Sequence, residues 1–396
     1  IVAHVTQSDA LLQSRLDFFK DIRLKGKVII SKDKVLSLFN TTPSQARLLD
    51  RIQATKQLLH SYWQERLLVQ AKSRRIQDQI LTMTEEQQQH HFGRLIADDS
   101  EKMLIQLGEQ LLRKKYRAIQ AAIEGNAWVS IRSMFESICQ SFTPERLSPT
   151  LHDPVTLDEG VILLMIQQHF VEKSDVPKMS FLLIDEVQDY NYAQLSLLLD
   201  LFPGSEFTLV GDENQAIFNS TIAFSEIREL FETRGQRVKR YDLLSSYRSS
   251  GAITKVFRQL AANNEHMEIV PVRPDGNPPK VTELTEERSL LEVVTQFSQQ
   301  LSGARLTVIT KSDKVAEAVS SMLYELIQEG RVQVLPISLS KGLEFDHVLI
   351  YDVSEETYHT DRDQKILYTA ISRAMQDLFL VYQGQKSRFI EQVDQN

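Results

Sequence analysis

Cysteine is nearly absent: Cys139 stands alone in a chain of 396 residues. One thiol excludes a disulfide framework and fits a reducing, cytoplasmic compartment. Long hydrophobic runs are missing too. The longest near the middle, Val161-Ile162-Leu163-Leu164-Met165-Ile166, is far too short to span a bilayer. The N-terminus, Ile1-Val2-Ala3-His4, lacks the charged stretch and apolar core of a secretory leader. No membrane partner is therefore expected. The start at Ile1 rather than Met suggests a piece of something longer.

What is present is ordinary for a globular protein: 42% hydrophobic and 25% charged residues, in a chain long enough for two or three domains. Charge is unevenly spread. Residues 1–150 hold 22 Lys+Arg and 16 Asp+Glu, which leaves 23 basic and 37 acidic residues of the 45 and 53 in the whole chain. A mildly basic first part could meet nucleic acid or an acidic protein surface, or could be a solvated helical face. The acidic remainder is not what a long DNA-tracking groove usually shows.

Along the chain, Lys27–Ser31 reads as a short strand and Asp33–Phe39 as a short helix. Thr42-Pro43-Ser44 has the residues of a helix start, with a capping hydroxyl and a proline in the first turn. Leu49, Ile52, Leu59, Trp63 and Leu67 then recur at helical spacing, and neither Gly nor Pro interrupts before Gly93. Met103–Ile123 resumes the pattern, so a long helical arm or hairpin is expected, with Gln87–His91 near its bend. His90 and His91 have no Cys or acidic partner at ligand spacing and read as a polar tip rather than a metal site. Further helices are expected at Ala127–Phe142, Asp158–Glu172, Tyr192–Leu201, Ala252–Asn263, Glu286–Ser302, Asp313–Glu329 and Gln364–Met375. A loop is expected at Thr143–Pro154 and another at Pro271–Pro279. Strands are expected at Leu306–Thr310, Val332–Ile337, His347–Tyr351 and Leu378–Tyr382.

The stretch that organises the rest is Phe181-Leu182-Leu183-Ile184-Asp185-Glu186-Val187-Gln188-Asp189. Four apolar residues read as a strand buried on both faces of a parallel sheet, with Glu206–Val210 as a second such strand. Two carboxylates follow where the strand would end, the place where ligands gather in open α/β sheets. They suit a divalent metal and a polarised water, or form a solvated acidic loop.

Further motifs follow in order: Gly211-Asp212-Glu213-Asn214-Gln215-Ala216-Ile217-Phe218, Leu244-Ser245-Ser246-Tyr247-Arg248-Ser249-Ser250, Ser340-Lys341-Gly342-Leu343-Glu344-Phe345, and Leu367-Tyr368-Thr369-Ala370-Ile371-Ser372-Arg373-Ala374. Together with Asp185–Asp189 they resemble motifs II to VI of superfamily 1 helicases of the UvrD/Rep type, over about residues 160–385. The resemblance implies an α/β fold of two RecA-like parallel-sheet domains, the first incomplete, with a long helical arm in or before the first. It implies ATP and Mg²⁺ as cofactors. Asp185 would hold the metal and Glu186 would activate water. Gln215 would sense the γ-phosphate, and Arg248 and Arg373 would act as arginine fingers. Tyr247 would stack on adenine, Glu344 would bond the ribose, and Gly342 would lie in the nucleotide loop. A surface ion pair is the plainer role for either arginine.

The sequence also departs from the pattern. No G-x-x-x-x-G-K-[ST] is present; Gly26-Lys27 is followed by Val28. In the family that loop precedes motif II, so it is expected upstream of Ile1, and this polypeptide alone is expected to be inactive as an ATPase. Asn219-Ser220-Thr221 replaces the aromatic and basic residues after motif III, and Pro336 and Ser338 stand where the family has Thr and His. The span from Arg248 to Lys341 is too short for the inserted 2B domain of UvrD-type helicases. These departures resemble the HelD branch, first described as helicase IV-like, whose members use ATP to release RNA polymerase from nucleic acid. The expected division is 1–155 as a helical arm, 156–250 as the end of domain 1A, and 251–396 as domain 2A. The expected partners are ATP, with DNA or RNA polymerase or both. The alternatives are a conventional 3′-to-5′ DNA helicase and a non-catalytic interaction protein on a decayed motor.

Overall fold

The computed structural model describes residues 2–96, 98, 100–142, 151–217, 222–261, 269–301, 303–391 and 393. The chain divides into two compact units, Ile1–Ser180 with Ala193–Ser205, and Phe181–Tyr192 with Glu206–Asn396. Among the described residues no helix is long and apolar enough to cross a membrane.

Among its described residues the first unit is helical apart from one small hairpin. Strands β1 (Ile22–Leu24) and β2 (Lys27–Ile30) pair antiparallel. Lys25 and Gly26 between them both have positive φ, 47° and 81°, as the tightest hairpin turns require. Helix Lys32–Phe39 follows, capped by Ser31, whose hydroxyl accepts from the Lys34 amide. The long helix Leu48–Ala71 buries Leu48, Ile52, Leu59, Trp63, Leu67 and Ala71, a stripe at three-to-four spacing. It packs on helix Glu101–Lys115. They approach closely at Gly108, where a Cβ would meet Ala71 Cβ and Ile76 Cγ2 at 3.1 Å. Trp63, Trp128, Phe18 and Phe39 fill the common core.

Some boundaries move. The long helix starts at Leu48, not at Thr42-Pro43-Ser44. The Thr42 hydroxyl is used elsewhere: it donates to the Phe39 carbonyl at 2.6 Å and accepts from Arg51 Nε at 2.9 Å. The arm is also segmented, with helices Arg74–Leu81 and Glu85–Phe92 before Glu101. The helix expected to run to Glu172 is α-helical over Leu157–Ile166 and ends in a π-helical turn, Gln167–Val171. The loop expected at Thr143–Pro154 lies outside the described residues as far as Thr150.

The second unit carries the sheets. β3 (Phe181–Ile184) and β4 (Glu206–Leu209) pair in parallel, as do the short β5 (Ser245–Ser246) and β6 (Val270–Pro271). The main sheet has five parallel strands: β7 (Lys280–Leu284), β8 (Leu306–Thr310), β9 (Val332–Pro336), β10 (Phe345–Ile350) and β11 (Ala374–Gln383). Their spatial order is β7-β11-β10-β8-β9. This is a mixed α/β chain built on a five-stranded parallel sheet. The central strands alternate between two cores, as a strand's period of two dictates. Ile309, Val348, Ile350, Leu378 and Leu380 pack with helices Gly251–Leu260 and Asp361–Ile371 on one face. Leu306, Val308, Leu349, Phe379 and Val381 face the other, where Phe297 stacks on Phe379 at 4.1 Å.

The expectation that Phe181–Ile184 is buried on both faces fails. Phe181 is 67% and Leu183 77% exposed, and only Ile184 of this strand is buried. β3 pairs with β4 alone among the described residues, and β4 has no buried residue, so neither strand has the cover that a wide sheet gives. The helix expected over Asp313–Glu329 breaks at Leu323 into Asp313–Met322 and Tyr324–Gln328.

Candidate active site

Two loops at the carboxyl ends of β3 and β4 lie against each other. The Ile184 carbonyl accepts from the Val210 amide at 2.8 Å, and the Val210 carbonyl from the Val187 amide at 2.9 Å. Between these bonds the chain turns through Glu186, whose φ of 52° is left-handed. Asp185 is exposed at the strand end, its Oδ1 accepting from the Glu186 amide at 2.8 Å. Gln188 is fully buried and joins the loops: its Nε2 donates to Glu186 Oε2, and its Oε1 accepts from the Asp212 amide at 3.0 Å. Gly211 is fixed by this approach. A Cβ there would lie 2.3 Å from Gln188 Oε1 and 2.9 Å from Val187 Cγ1.

Asp212 is the hub of the next turn. Its Oδ1 accepts from the Asn214 amide, and its Oδ2 accepts from both Gln215 Nε2 and the Tyr368 hydroxyl, each at 3.0 Å. The other end of the Gln215 amide, Oε1, accepts from Arg373 Nη2 at 2.8 Å. Arg373 is 2% exposed and also donates to the carbonyls of Thr369 and Leu343 and to the Ser372 hydroxyl. Burial pulls its guanidinium below the usual arginine range, and the like charge of Arg248 adds to this; Glu186, Glu344 and Asp212 oppose it. An arginine stays protonated under such a shift, so a buried cation faces three carboxylates.

Arg248 Nε lies 2.6 Å from Glu344 Oε1, with the two side chains 43% and 40% exposed. Lys341 forms an ion pair with Asp189 and donates to the Gln215 carbonyl at 2.9 Å. Glu186, Gln215, Arg373, Arg248 and Glu344 thus gather around one network. Asp185, Tyr247 and Gly342 are exposed and not bonded to the rest of it among the described residues, apart from the Asp185 bond to the Glu186 amide. Tyr247 is 70% exposed, and Gly342 takes a φ of 76° with nothing within 4 Å of a built Cβ. Phe218 and residues 219–221 lie outside the described residues. Reading motifs by residue type did not single out Gln188, Asp189, Asp212, Lys341 or Tyr368. Each lies inside a quoted motif; the missing signal was their pairing across motifs.

Two family models match the chain. The UvrD/REP helicase N-terminal domain matches residues 19–233, and the viral superfamily 1 RNA helicase core domain matches residues 164–382. Each match covers more than half of the chain. The chain belongs to the superfamily 1 helicases. Among curated relatives of this superfamily 1 chain, a "Probable DNA helicase" of Mycoplasma pneumoniae is 30% identical over 229 residues, 51% of this chain and 43% of that protein. The "ATP-dependent DNA helicase Rep" of Escherichia coli is 37% identical over 107 residues, 26% of this chain and 16% of that protein. This superfamily 1 chain therefore spans less than half the length of these relatives. Among solved structures, the C-terminal domain of a possible DNA helicase from Lactobacillus plantarum is 32% identical, with a TM-score of 0.31 over 37% of this chain and 94% of that one.

As chemistry, the superfamily 1 site combines a strand-end carboxylate pair, a bridging glutamine and two arginines. Asp185 suits Mg²⁺, an ion that keeps several of its waters and takes one or two carboxylates plus phosphate oxygens. Among the described residues no group of three or more His, Cys, Asp or Glu is placed to cage a metal.

Proposed function

We propose that this chain is part of an ATP-driven helicase motor, acting on DNA as the names of its relatives indicate. The observation that carries the reading is the buried Arg373 bonded to Gln215 and facing Glu186, Glu344 and Asp212. A phosphoryl-transfer site needs such cations where charge develops and a carboxylate where water is activated. In this reading Asp185 holds Mg²⁺, Glu186 orients the attacking water, and Gln215 reports on the γ-phosphate. Arg373 and Arg248 stabilise the transferring group, with Arg248 leaving Glu344 for phosphate. Tyr247 stacks on adenine, Glu344 accepts from the ribose, and Gly342 lets the intervening loop approach the nucleotide. Mg²⁺ would supply charge neutralisation across the phosphates. Residues 156–250 and 251–396 would be the end of domain 1A and domain 2A, with 1–155 as the arm, in a cytoplasmic protein.

Arg373→Ala in the protein as its gene encodes it tests this. ATP turnover is expected to fall about a thousandfold or more; unchanged turnover removes the reading. The 396 residues contain no G-x-x-x-x-G-K-[ST]. This polypeptide on its own is therefore expected to hydrolyse ATP negligibly, and turnover typical of a helicase would refute that.

A second reading, ATP-driven release of RNA polymerase in the manner of the HelD branch, is favoured by the short span from Arg248 to Lys341 and by the mildly basic helical arm. Co-purification with RNA polymerase and ATPase activity indifferent to DNA support it. Unwinding of a tailed duplex with salt-dependent single-strand binding supports the conventional helicase instead.

A further inference from the structure

We propose that Tyr368 and Asp212 form a positioning pair for ATP hydrolysis, the phenol fixing the carboxylate that orients the Gln215 amide so that Gln215 and Arg373 act as one unit. The inference rests on the ATP-site reading and concerns residues that reading gives no role.

Asp212 Oδ2 receives two donors at 3.0 Å, one from each side of the site: Gln215 Nε2 from its own turn and the Tyr368 hydroxyl from helix Asp361–Ile371. The Gln215 amide is then fixed at both ends, its nitrogen by Asp212 and its oxygen by Arg373. An amide held in this way cannot flip, because the reverse orientation would set its nitrogen against the guanidinium and its oxygen against the carboxylate. Tyr368 sits on the helix that Arg373 follows. The helix end is therefore attached to the Asp212–Gln215 turn at two points, through Tyr368 and through Arg373, and a shift of one carries the other.

Tyr368 is suited to hold that bond. It is 3% exposed, its ring meets Phe257 edge-on at 5.6 Å, and burial, with the charge of Asp212, raises its hydroxyl far above the ordinary phenol range. The hydroxyl thus remains a donor at any working pH. The ring contact survives Tyr368→Phe, which removes the oxygen alone. Without it, Asp212 keeps Gln215 but loses its tie to the helix.

The test is steady-state ATP hydrolysis by the protein as its gene encodes it. Tyr368→Phe is expected to lower kcat about tenfold or more, with KM for ATP changed less than about twofold, because the phenol does not touch nucleotide. Asp212→Asn is expected to give a similar loss, and the double variant no deeper a loss than Asp212→Asn, since one residue acts through the other. A raised KM at unchanged kcat, or losses that multiply in the double variant, would overturn the pair. A wild-type protein that neither binds nor hydrolyses ATP brings down the ATP-site reading and this inference with it. A wild type that hydrolyses ATP, beside a Tyr368→Phe variant that matches it, brings down this inference alone.

Discussion

β3 and β10 are written in similar residues, Phe-Leu-Leu-Ile and Phe-Asp-His-Val-Leu-Ile, yet Leu183 is 77% exposed while Leu349 is fully buried. The difference comes from the neighbours. β10 has a parallel partner on each side, β8 and β11, with packed side chains above and below. β3 has β4 alone among the described residues. An apolar run specifies an extended backbone; the number of strands beside it decides whether its side chains reach a core. Chemistry is distributed in the reverse sense. The exposed β3 ends in Asp185 and Glu186, whereas the best-packed strands supply the support behind Arg373.

The largest expected effect lies in the covered sheet. Leu349→Ala is expected to cost about 3 kcal/mol in urea unfolding, within the range for emptying a packed leucine site. A loss below about 1 kcal/mol would mean that the five-stranded sheet is no better packed than β3. A smaller effect is expected at its carboxyl edge, where Asp363 pairs with Lys311. Burial alone would raise the Asp363 carboxyl, but the Lys311 ammonium and the Thr360 amide and hydroxyl outweigh it and hold it at about 2, against an ordinary 3.8. A carboxylate depressed in the folded state stabilises above its unfolded value and loses that contribution as pH falls through the folded one. The wild-type advantage over Asp363→Asn should therefore shrink between about pH 4 and pH 2, by on the order of 1–2 kcal/mol. An acid-unfolding difference that stays constant there would contradict the pair. The smallest effect belongs to Leu183→Ser, expected within about 0.5 kcal/mol of wild type. If it proved as costly as Leu349→Ala, the contrast between the two sheets would be broken.

Much of this architecture was legible from residue pattern. β8 runs over Leu306–Thr310 as its β-branched residues indicate, and β3 over Phe181–Ile184. β7 was hidden. Lys280-Val281-Thr282-Glu283-Leu284 alternates polar and apolar residues directly after two prolines, and no strand was expected there. It pairs on one side only, with β11, and a half-covered edge strand has little need of a continuous apolar run. At the site, motif order named Asp185, Glu186, Gln215, Tyr247, Arg248, Gly342, Glu344 and Arg373, of which Glu186, Gln215, Arg248, Glu344 and Arg373 gather around one network. It was silent on Asp212 and Tyr368, because an aspartate in a turn and a tyrosine in a helix are individually unremarked. Their significance lies in a hydrogen bond between segments far apart in sequence.

The strand order β7-β11-β10-β8-β9 places the last strand to be synthesised between the first and the fourth. During translation β7 leaves the ribosome with no permanent partner, and β8 and β9 can pair with each other before it is recruited. Only when Ala374–Gln383 appears can the sheet be stitched across, in the same step that brings Arg373 to the edge of the strands. A chain truncated at Ser372 and released from the ribosome should therefore leave Lys280–Leu284 open to proteolysis while the β8-β9-β10 block is protected. Assembly of the sheet and assembly of the site are one late event.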